Sequence, residues 1–246
     1  HGHLLPTEIG RDGEKLSAVP GCRAAPAGAI LRTEMPSEPH ATPEDPASAP
    51  EWPLLGPGEP PPCETYRPQA RSPVLLVCDH ASCRFPESLG DMGLDPFSRR
   101  CHLALDIGAG PLTEQLAKSL GVTAVMHNYS RLVVDCNRQL MDPSAFLEYG
   151  DGIRVPGNRN LHQADKDLRA SALYWPYHCA IDEQVQRLRK AGPPPAFISI
   201  HSFTPVLNGE AREWQMGVLW DKDESLRDIF LEGLRGAGYQ VGDNEP

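Results

Sequence analysis

The stretch PVLLVCDHAS, residues 73–82, joins a buried strand to chemically active side chains. Its first six residues form a short, continuous apolar run, which is typical of a strand buried on both faces of a parallel sheet. Asp79 and His80 follow directly, where the strand ends. Ligands of open α/β sheets bind beyond the carboxyl ends of the strands. The stretch therefore predicts both an α/β fold and the edge of the sheet at which a site would lie.

Outward from this strand, apolar strands alternate with amphipathic helices. We predict further strands at VTAVM (122–126), RLVVDC (131–136), FISIH (197–201) and MGVLW (216–220), and helices over residues 111–121, 176–192 and 224–238. This alternation predicts a three-layer α/β fold with a mostly parallel or mixed sheet that is covered by helices on both sides.

The apolar spacing of the helices predicts which of their faces are buried. In the helix over residues 111–121, the residues Leu112, Leu116 and Leu120 are four apart, with Pro111 near the start and Gly121 just after the end. The second helix is expected to bury one face, formed by Ile181, Val185 and Leu188.

The first 71 residues have a different composition. Fourteen of the 26 prolines lie within the first 70 residues, which show neither helical nor strand periodicity. Each proline lacks a backbone donor and has a fixed φ angle, so such a segment favours neither a helix nor a ladder. We expect residues 1–71 to be a disordered, proline-rich arm and residues 72–246 to be the folded domain.

The overall charge and hydropathy exclude several classes of function. With 23 basic and 33 acidic residues the net charge is -10, which argues against nucleic-acid binding. No apolar run is long enough to cross a bilayer. A leader sequence is not evident, and most of the seven cysteines lie in apolar runs, as expected for buried free thiols. These features indicate a cytoplasmic protein without a membrane partner, and leave its oligomeric state unknown.

Two histidines and a carboxylate are predicted to meet at the sheet edge. His80 and His201 each follow a strand, and Asp106 directly precedes a helix. Imidazole and carboxylate are standard ligands of catalytic zinc, which keeps a fourth position for water. The hydroxyl groups of Ser202 and Thr204 could then form hydrogen bonds that orient His201 as a ligand, without contacting the metal themselves. The alternative is that each histidine is a hydrogen-bonded structural residue, and the spacing alone leaves both interpretations open.

The segment RLVVDCNR, residues 131–138, contains two arginines beside Asp135. A buried arginine cannot stay unpaired, because burying an isolated charge is very costly. We expect Asp135 to pair with one arginine, either Arg131 or Arg138. The other arginine would then be available for the carboxylate of an anionic ligand.

Eight motifs, in order, give the chain a resemblance to the N-formylglutamate amidohydrolase family over roughly residues 72–246. They are VCDHASCRFP, HLALDIGAG, YSRLVVDCNR, VPGN, PYH, ISIHSFTP, WQMGVLWDKD and VGDNEP. The resemblance implies a zinc-carboxypeptidase-like (phosphorylase/hydrolase-like) fold. It also implies hydrolysis of the formyl amide of N-formyl-L-glutamate to glutamate and formate, a step of histidine catabolism. The implied substrate is a small anionic N-acyl amino acid.

The resemblance also implies roles for individual residues. His80 and His201 are similar to zinc ligands of the carboxypeptidases, and Asn137 with Arg138 is similar to their grip on a substrate carboxylate. The carboxypeptidase-like pattern HxxE is not kept, because Cys83 stands where the glutamate would be. We therefore take Asp106 as the third ligand of zinc or another divalent metal.

Two further arginines complete the implied site. Arg131 is assigned a catalytic role, because preorganised positive charge stabilises a developing oxyanion. Arg212 is assigned to the substrate carboxylates together with Arg138 and Asn137.

Family members continue past the motif DNEP, and the glutamate expected to act as general base lies in that continuation. We therefore expect residues 72–246 to be a domain that lacks its C-terminal strands. Two alternatives remain open: a hydrolase of another N-acyl amino acid or small amide, and a truncated, catalytically inactive family member.

Overall fold

A computed structural model describes residues 54–207 and 209–245 of the chain. The strands are β1 (Cys63–Tyr66), β2 (Val74–Cys78), β3 (Thr123–His127), β4 (Tyr149–Gly150), β5 (Ile153–Arg154), β6 (Ala196–Ser199), β7 (Val206–Leu207), β8 (Glu210–Ala211), β9 (Met216–Val218) and β10 (Val241–Asp243). The α-helices are α1 (Ala109–Leu120), α2 (Gln163–Arg169), α3 (Trp175–Ala191) and α4 (Arg227–Gly236). A π-helical segment, Ala170–Tyr174, joins α2 to α3.

The main sheet has four strands in the order β1-β3-β2-β6. Strand β2 is parallel to both β3 and β6, whereas β1 is antiparallel to β3. In the register of β2 with β6, Val77 lies opposite Ser199. Because the two strands are parallel, the residues that follow them emerge at the same edge of the sheet. The prediction of an α/β fold with a mixed sheet is confirmed.

Helices cover both faces of this sheet. Leu76 packs with Ala117 of α1, whereas its neighbours Leu75 and Val77 pack with Ile181 of α3. Successive side chains of a strand point to opposite faces, so α1 and α3 lie on opposite sides of β2. The face predicted for the second helix is confirmed, since it packs in the same cluster through Ile181, Val185 and Leu188.

Helix α1 buries a different face from the one that its leucines predicted. Leu112 and Leu120 are 47% and 61% exposed, and the buried residues are small: Ala109, Gly110, Thr113 and Ala117. A Cβ atom on Gly110 would lie 2.8 Å from the carbonyl oxygen of Ala81. Leu116 is half-buried and packs against the cluster of Leu76 and Ala117. The prediction was wrong for Leu112 and Leu120, because the start of the helix approaches the end of β2 too closely for large side chains.

The segment 131–136 is buried but is not a strand, so that prediction was wrong. Residues 131–133 form a turn, with a hydrogen bond from the Val133 amide to the Ser130 carbonyl. Leu132, Val133 and Val134 pack into one large apolar cluster. An apolar run indicates burial, but it does not by itself distinguish a strand from a buried irregular segment.

Part of the predicted arm is ordered. Its residues 1–53 lie outside the described residues, but Leu54 is buried and Cys63–Tyr66 forms the edge strand β1. The carbonyl groups of Pro60 and Pro61 accept hydrogen bonds from Tyr129 and Asn128. A proline lacks only the backbone donor, so a proline-rich segment can still be fixed through its carbonyl groups. The expectation of disorder is wrong for this part of the arm.

Among the cysteines that the structure describes, five are free thiols, namely Cys63, Cys78, Cys83, Cys101 and Cys136. The expectation of free thiols is wrong for Cys179, which is disulfide-bonded. Among the described residues, none of the helices has both the length and the apolar character that a bilayer span requires.

Candidate active site

Three elements of the fold bring His80, Asp106 and His201 together. His80 follows β2, His201 follows β6, and Asp106 lies just before α1. A backbone hydrogen bond of 3.0 Å from the Asp106 amide to the His80 carbonyl ties the start of α1 to the end of β2. One potential ligand atom from each of the three side chains lies within 4.8 Å of the others.

Both imidazoles direct the same ring nitrogen at the Asp106 carboxylate. His80 Nδ1 lies 3.3 Å from Asp106 Oδ1, and His201 Nδ1 lies 2.8 Å from Asp106 Oδ2. The two ring centroids are 5.1 Å apart. The amide of Ser202 adds a contact of 3.3 Å to Asp106 Oδ2. Two ring nitrogens and one carboxylate thus lie together, and the partly exposed side chain of His201 connects this group with solvent.

The Nε2 atom of His80 is held from behind by Asp135. The distance from Nε2 to Asp135 Oδ1 is 2.8 Å, and that oxygen also accepts a hydrogen bond from the backbone amide of Asn137. Asp135 Oδ2 accepts two hydrogen bonds from Arg131, of 3.1 Å from Nε and 2.6 Å from Nη2. The prediction that Asp135 pairs with one of the two arginines is confirmed, and that arginine is Arg131.

The Nε2 atom of His201 has a second carboxylate behind it. Asp79 Oδ2 lies 3.2 Å away, and the Ser199 hydroxyl lies 3.0 Å from the same nitrogen. Ser199 donates a hydrogen bond to Asp79 Oδ2, and the Tyr177 hydroxyl donates one of 2.9 Å to Asp79 Oδ1. Each imidazole thus lies between Asp106 in front and a buried carboxylate behind.

The protonation of the cluster follows from these contacts. Burial disfavours the charged imidazole of His201, but hydrogen bonds with Asp106 and Asp79 outweigh burial and raise the pKa of His201 to about 9. Burial likewise opposes ionisation of Asp106, yet the hydrogen bond from His201 and the adjacent imidazole of His80, which lies 3.3 Å away without hydrogen-bond geometry, keep the pKa of that carboxyl well below its usual range. The pKa of Asp79 and the pKa of Asp135 are lowered by their histidine partners in the same way.

The residues present suit a divalent cation. Nδ1 of His80 is buried and has no hydrogen-bond partner, which is unusual for a buried polar atom. Asp79, Asp106 and Asp135 carry three negative charges, and the one arginine that forms salt bridges with this group in the described part of the chain is Arg131, with Asp106 and Asp135, which leaves two negative charges. One divalent cation balances these charges while both imidazoles are neutral, the form in which histidine binds metal. A carboxylate behind each ligating imidazole is the usual outer support of such a site.

The arginines predicted for the site occupy different positions. Arg131 lies against the cluster, with Nη1 3.6 Å from Asp106 Oδ1. Arg138 donates a hydrogen bond to the Asn137 carbonyl and forms no salt bridge with any carboxylate in the described part of the chain. Arg212 is on the hairpin β7–β8, where it contacts the Thr204 carbonyl and the Phe203 ring. No contact of Arg212 with the histidines or aspartates appears among the described residues.

Sequence reasoning missed part of the outer support. Tyr177 and Ser199 contact Asp79, although one lies in a helix and the other inside a strand. The predicted supports behave differently: Thr204 donates to the Val206 carbonyl, and Ser202 reaches Asp106 through its backbone amide. The Thr204 prediction was wrong because the loop turns that hydroxyl back onto its own backbone. The alternation of side chains in β6 could have indicated Ser199, which shares a side of the strand with His201.

Comparisons with known proteins identify the family and the fold of the chain. The model of the family described as N-formylglutamate amidohydrolase matches residues 72–246. A solved structure of a gene product from Agrobacterium tumefaciens is 37% identical, with a TM-score of 0.76 and coverage of 78% of this chain and 77% of that chain. No curated protein matched the chain.

A second solved structure, N-formylglutamate amidohydrolase from Ralstonia eutropha, is 22% identical, with a TM-score of 0.61 and coverage of 75% and 76% of the two chains. At this identity, the likeness shows a shared fold. The family match extends over well more than half of the sequence, from β2 through both histidines. The chain therefore belongs to the N-formylglutamate amidohydrolase family and is an amidohydrolase.

Proposed function

We propose that the chain is a metal-dependent hydrolase that cleaves the formyl amide of N-formyl-L-glutamate to glutamate and formate. The observation that carries this proposal is the convergence of His80 Nδ1, His201 Nδ1 and the Asp106 carboxylate at one sheet edge. These three groups would hold zinc or another divalent metal. The same arrangement supports a zinc-carboxypeptidase-like fold for residues 72–246, to which β1 adds an edge strand.

The metal, when bound, would supply an acidic water and a Lewis acid for the formyl oxygen. Asp106, Asp79 and Asp135 are poor candidates for the base that takes the proton of the water. Their pKa values are held well below the usual range, and a general base works best with a pKa near the operating pH. Their role is to orient and charge-balance the two imidazoles.

Arg131 is the residue best placed to act on the developing oxyanion. Asp135 holds its Nε and Nη2 atoms, so Nη1 is fixed at the cluster, 3.6 Å from Asp106 Oδ1. A preorganised cation costs no reorganisation when negative charge develops. The Arg131 side chain is 25% exposed, so a substrate can approach it.

Arg138 is our proposed ligand for a substrate carboxylate, with Asn137 beside it. Asp135 is paired with Arg131, and Arg138 forms no salt bridge with a carboxylate in the described residues, although, after the hydrogen bonds from Ser144, its charge helps to lower the pKa of the exposed Asp142. Guanidinium binds carboxylate in a bidentate manner and stays charged at all physiological pH values. Arg212 would take the second carboxylate of N-formylglutamate if the hairpin β7–β8 brings it to the substrate.

Formate release from purified, zinc-loaded chain tests this function. We expect N-formyl-L-glutamate to be hydrolysed with a higher kcat/KM than N-acetyl-L-glutamate or N-formyl-L-leucine. A chelator should abolish the activity and added zinc should restore it. A higher kcat/KM for either of the other substrates would contradict the proposed substrate, and activity that survives full removal of metal would contradict the metal dependence.

An arginine substitution tests the substrate grip separately. Arg138→Met should raise KM for N-formyl-L-glutamate by roughly ten- to a hundredfold, the range expected when a charge-assisted contact worth about 1.5–3 kcal/mol is lost. Arg189→Met, at an exposed position in the last turn of α3, is the matched control and should leave KM unchanged. An equal effect of the two variants would exclude the assigned role of Arg138.

A further inference from the structure

Tyr177 has a polar contact that its position in the core does not explain. Its ring is fully buried in helix α3 and packs in a cluster with Leu75 and Val77 of β2. The hydroxyl donates a hydrogen bond of 2.9 Å to Asp79 Oδ1. The ring of Tyr177 therefore packs in the hydrophobic core, while its hydroxyl contacts Asp79, a residue of the candidate site.

Another buried tyrosine shows what a purely structural contact looks like. Tyr129 is also fully buried, and its hydroxyl donates to the backbone carbonyl of Pro60 at 2.7 Å. A backbone carbonyl satisfies a buried hydroxyl without involving any charged group. Tyr177 instead bonds a carboxylate, and hydrogen bonds to ionised groups are roughly twice as strong as neutral ones.

The contact from Tyr177 completes the set of partners around Asp79. Oδ1 accepts from Tyr177, and Oδ2 accepts from Ser199 and lies 3.2 Å from His201 Nε2. Burial and the nearby Asp79 carboxylate raise the pKa of the Tyr177 hydroxyl well above its ordinary value, so that this group stays a donor. With both oxygens held, the Asp79 carboxylate cannot rotate away from His201.

The orientation of Asp79 decides which nitrogen of His201 faces the metal position. A carboxylate at Nε2 stabilises a proton on that nitrogen, and the lone pair of the neutral ring is then on Nδ1. Nδ1 is the nitrogen that faces Asp106 at 2.8 Å. The hydroxyl of Tyr177 is thus connected to the ligand nitrogen through two contacts.

We propose that Tyr177 is a positioning residue of the metal centre, which fixes Asp79 so that Asp79 holds His201 with Nδ1 directed at the metal. The inference rests on the proposed function, since it assumes a divalent metal bound by His80, Asp106 and His201. Tyr177 itself contacts none of these three side chains through its hydroxyl. It is therefore a residue of the outer support and not a catalytic residue.

Zinc affinity of two matched variants tests the inference. Tyr177→Phe and Tyr129→Phe each remove one buried hydroxyl and keep the ring. We expect Tyr177→Phe to weaken zinc binding about tenfold, the lower end of the range for outer partners of metal ligands. Tyr129→Phe should lower thermal stability but leave the zinc dissociation constant within twofold of the wild-type value. The constants would be measured by competition with a chromophoric chelator.

A second measurement needs no metal. In the metal-free chain, labelled with ¹⁵N-histidine, the Nε2–H proton of His201 should give a sharp resonance that exchanges slowly with water. Tyr177→Phe should speed that exchange, because a mobile Asp79 holds the proton less well, whereas Tyr129→Phe should not. Equal zinc affinities for the two variants would overturn the inference, as would an unchanged exchange rate in Tyr177→Phe.

The two measurements separate this inference from the proposed function. If the wild-type chain binds no zinc, the proposed function fails and the metal-positioning role of Tyr177 fails with it, whatever the exchange rate of the His201 proton. If the wild-type chain binds zinc and hydrolyses its substrate while both variants bind zinc equally, the function stands and the inference fails.

Discussion

The imidazoles of His80 and His201 are both held by a carboxylate, but the two carboxylates are fixed by different kinds of donors. On the His80 side, Asp135 holds the imidazole and is itself held by the charged Arg131. On the His201 side, the donors that Asp79 has among the described residues, apart from the imidazole, are the neutral hydroxyl groups of Tyr177 and Ser199. Both sides leave Nδ1 facing Asp106. What the ligand geometry requires is a fixed carboxylate behind each ring, and either a cation or neutral hydroxyl groups can provide it.

The two sides also differ in burial. The His80 side chain is 2% exposed and follows the central strand β2, whereas the His201 side chain is 24% exposed and follows β6, which has one strand partner among the described residues. A charge in the more deeply buried position needs a charged partner, because solvent contributes little there. The neutral support of Asp79 is sufficient where the imidazole still reaches water.

The strongest test of this comparison removes each imidazole in turn. His80→Ala and His201→Ala should both reduce bound zinc to near zero in elemental analysis, with nearly unchanged far-ultraviolet circular dichroism. Full zinc occupancy in either variant would refute that ligand.

The two alanine variants should differ in the stability of the metal-free chain. His80→Ala leaves Asp135 buried with one partner fewer, and breaking a buried ion pair costs about 3–5 kcal/mol. His201→Ala should cost less, because its site is open to water. Urea unfolding of the chelated proteins measures the difference, and an equal loss of stability would contradict the assigned role of burial.

The pH dependence of the metal-free chain sharpens the same comparison. The pKa of His201 is about 9 in the fold against 6.5 for an ordinary histidine. Its contribution to the free energy of unfolding is therefore fully present below pH 6.5 and is lost as the pH rises to about 9. The loss should be roughly 3 kcal/mol, since each pKa unit corresponds to about 1.4 kcal/mol.

His201→Gln is the control for this pH dependence. The variant keeps the His80 side and every other titrating group, so the difference between its unfolding curve and the wild-type curve isolates His201. Parallel pH profiles from pH 6 to 9.5 would show that His201 does not carry the effect.

A smaller effect is expected from neutralising the two supporting carboxylates. Asp135→Asn and Asp79→Asn should weaken zinc binding within the ten- to hundredfold range typical of outer partners. We expect the larger loss for Asp135→Asn, because that change also frees Arg131. Asp151→Asn is the control, since Asp151 holds the Nε2 atom of His102 at 2.8 Å on the exposed surface. Equal zinc affinities in all three variants would contradict the inference that Asp135 and Asp79 strengthen zinc binding by holding the imidazoles.

The smallest effect should come from Ser199→Ala. The hydroxyl of Ser199 lies between His201 Nε2 and Asp79 Oδ2, but these two groups also approach each other directly. We therefore expect a loss of zinc affinity of about twofold to fivefold, below that of Asp79→Asn, in the same competition measurement. A larger loss than that of Asp79→Asn would mean that the hydroxyl, and not the carboxylate, orients His201.

Several secondary-structure elements and candidate ligands could be predicted, because short stretches of the sequence are sufficient to indicate them. The apolar run before Asp79 and His80 indicated β2, and the spacing of Ile181, Val185 and Leu188 indicated the buried face of α3. The motifs around His80, Asp106 and His201 indicated the family, which the match over residues 72–246 shows.

Other features could not be predicted because they depend on neighbours that are distant in sequence. Leu112 was expected in the core, but the close approach of Gly110 to Ala81 turns that leucine outward. The run at 131–136 was expected to be a strand, and packing made it a buried turn. Tyr177 lies 98 residues from Asp79, and no local pattern connects a helical tyrosine with a carboxylate at a strand end.

From the sequence alone one could name His80 and His201 as candidate metal ligands at strand ends, because an apolar run followed by a histidine is a local pattern. Which nitrogen of each imidazole faces Asp106, and which carboxylate contacts the other nitrogen, became clear from the three-dimensional arrangement. The orientation of an imidazole ring depends on the hydrogen bond to its second nitrogen. For His80 that partner is Asp135, and for His201 it is Asp79, and each of these pairs is distant in sequence.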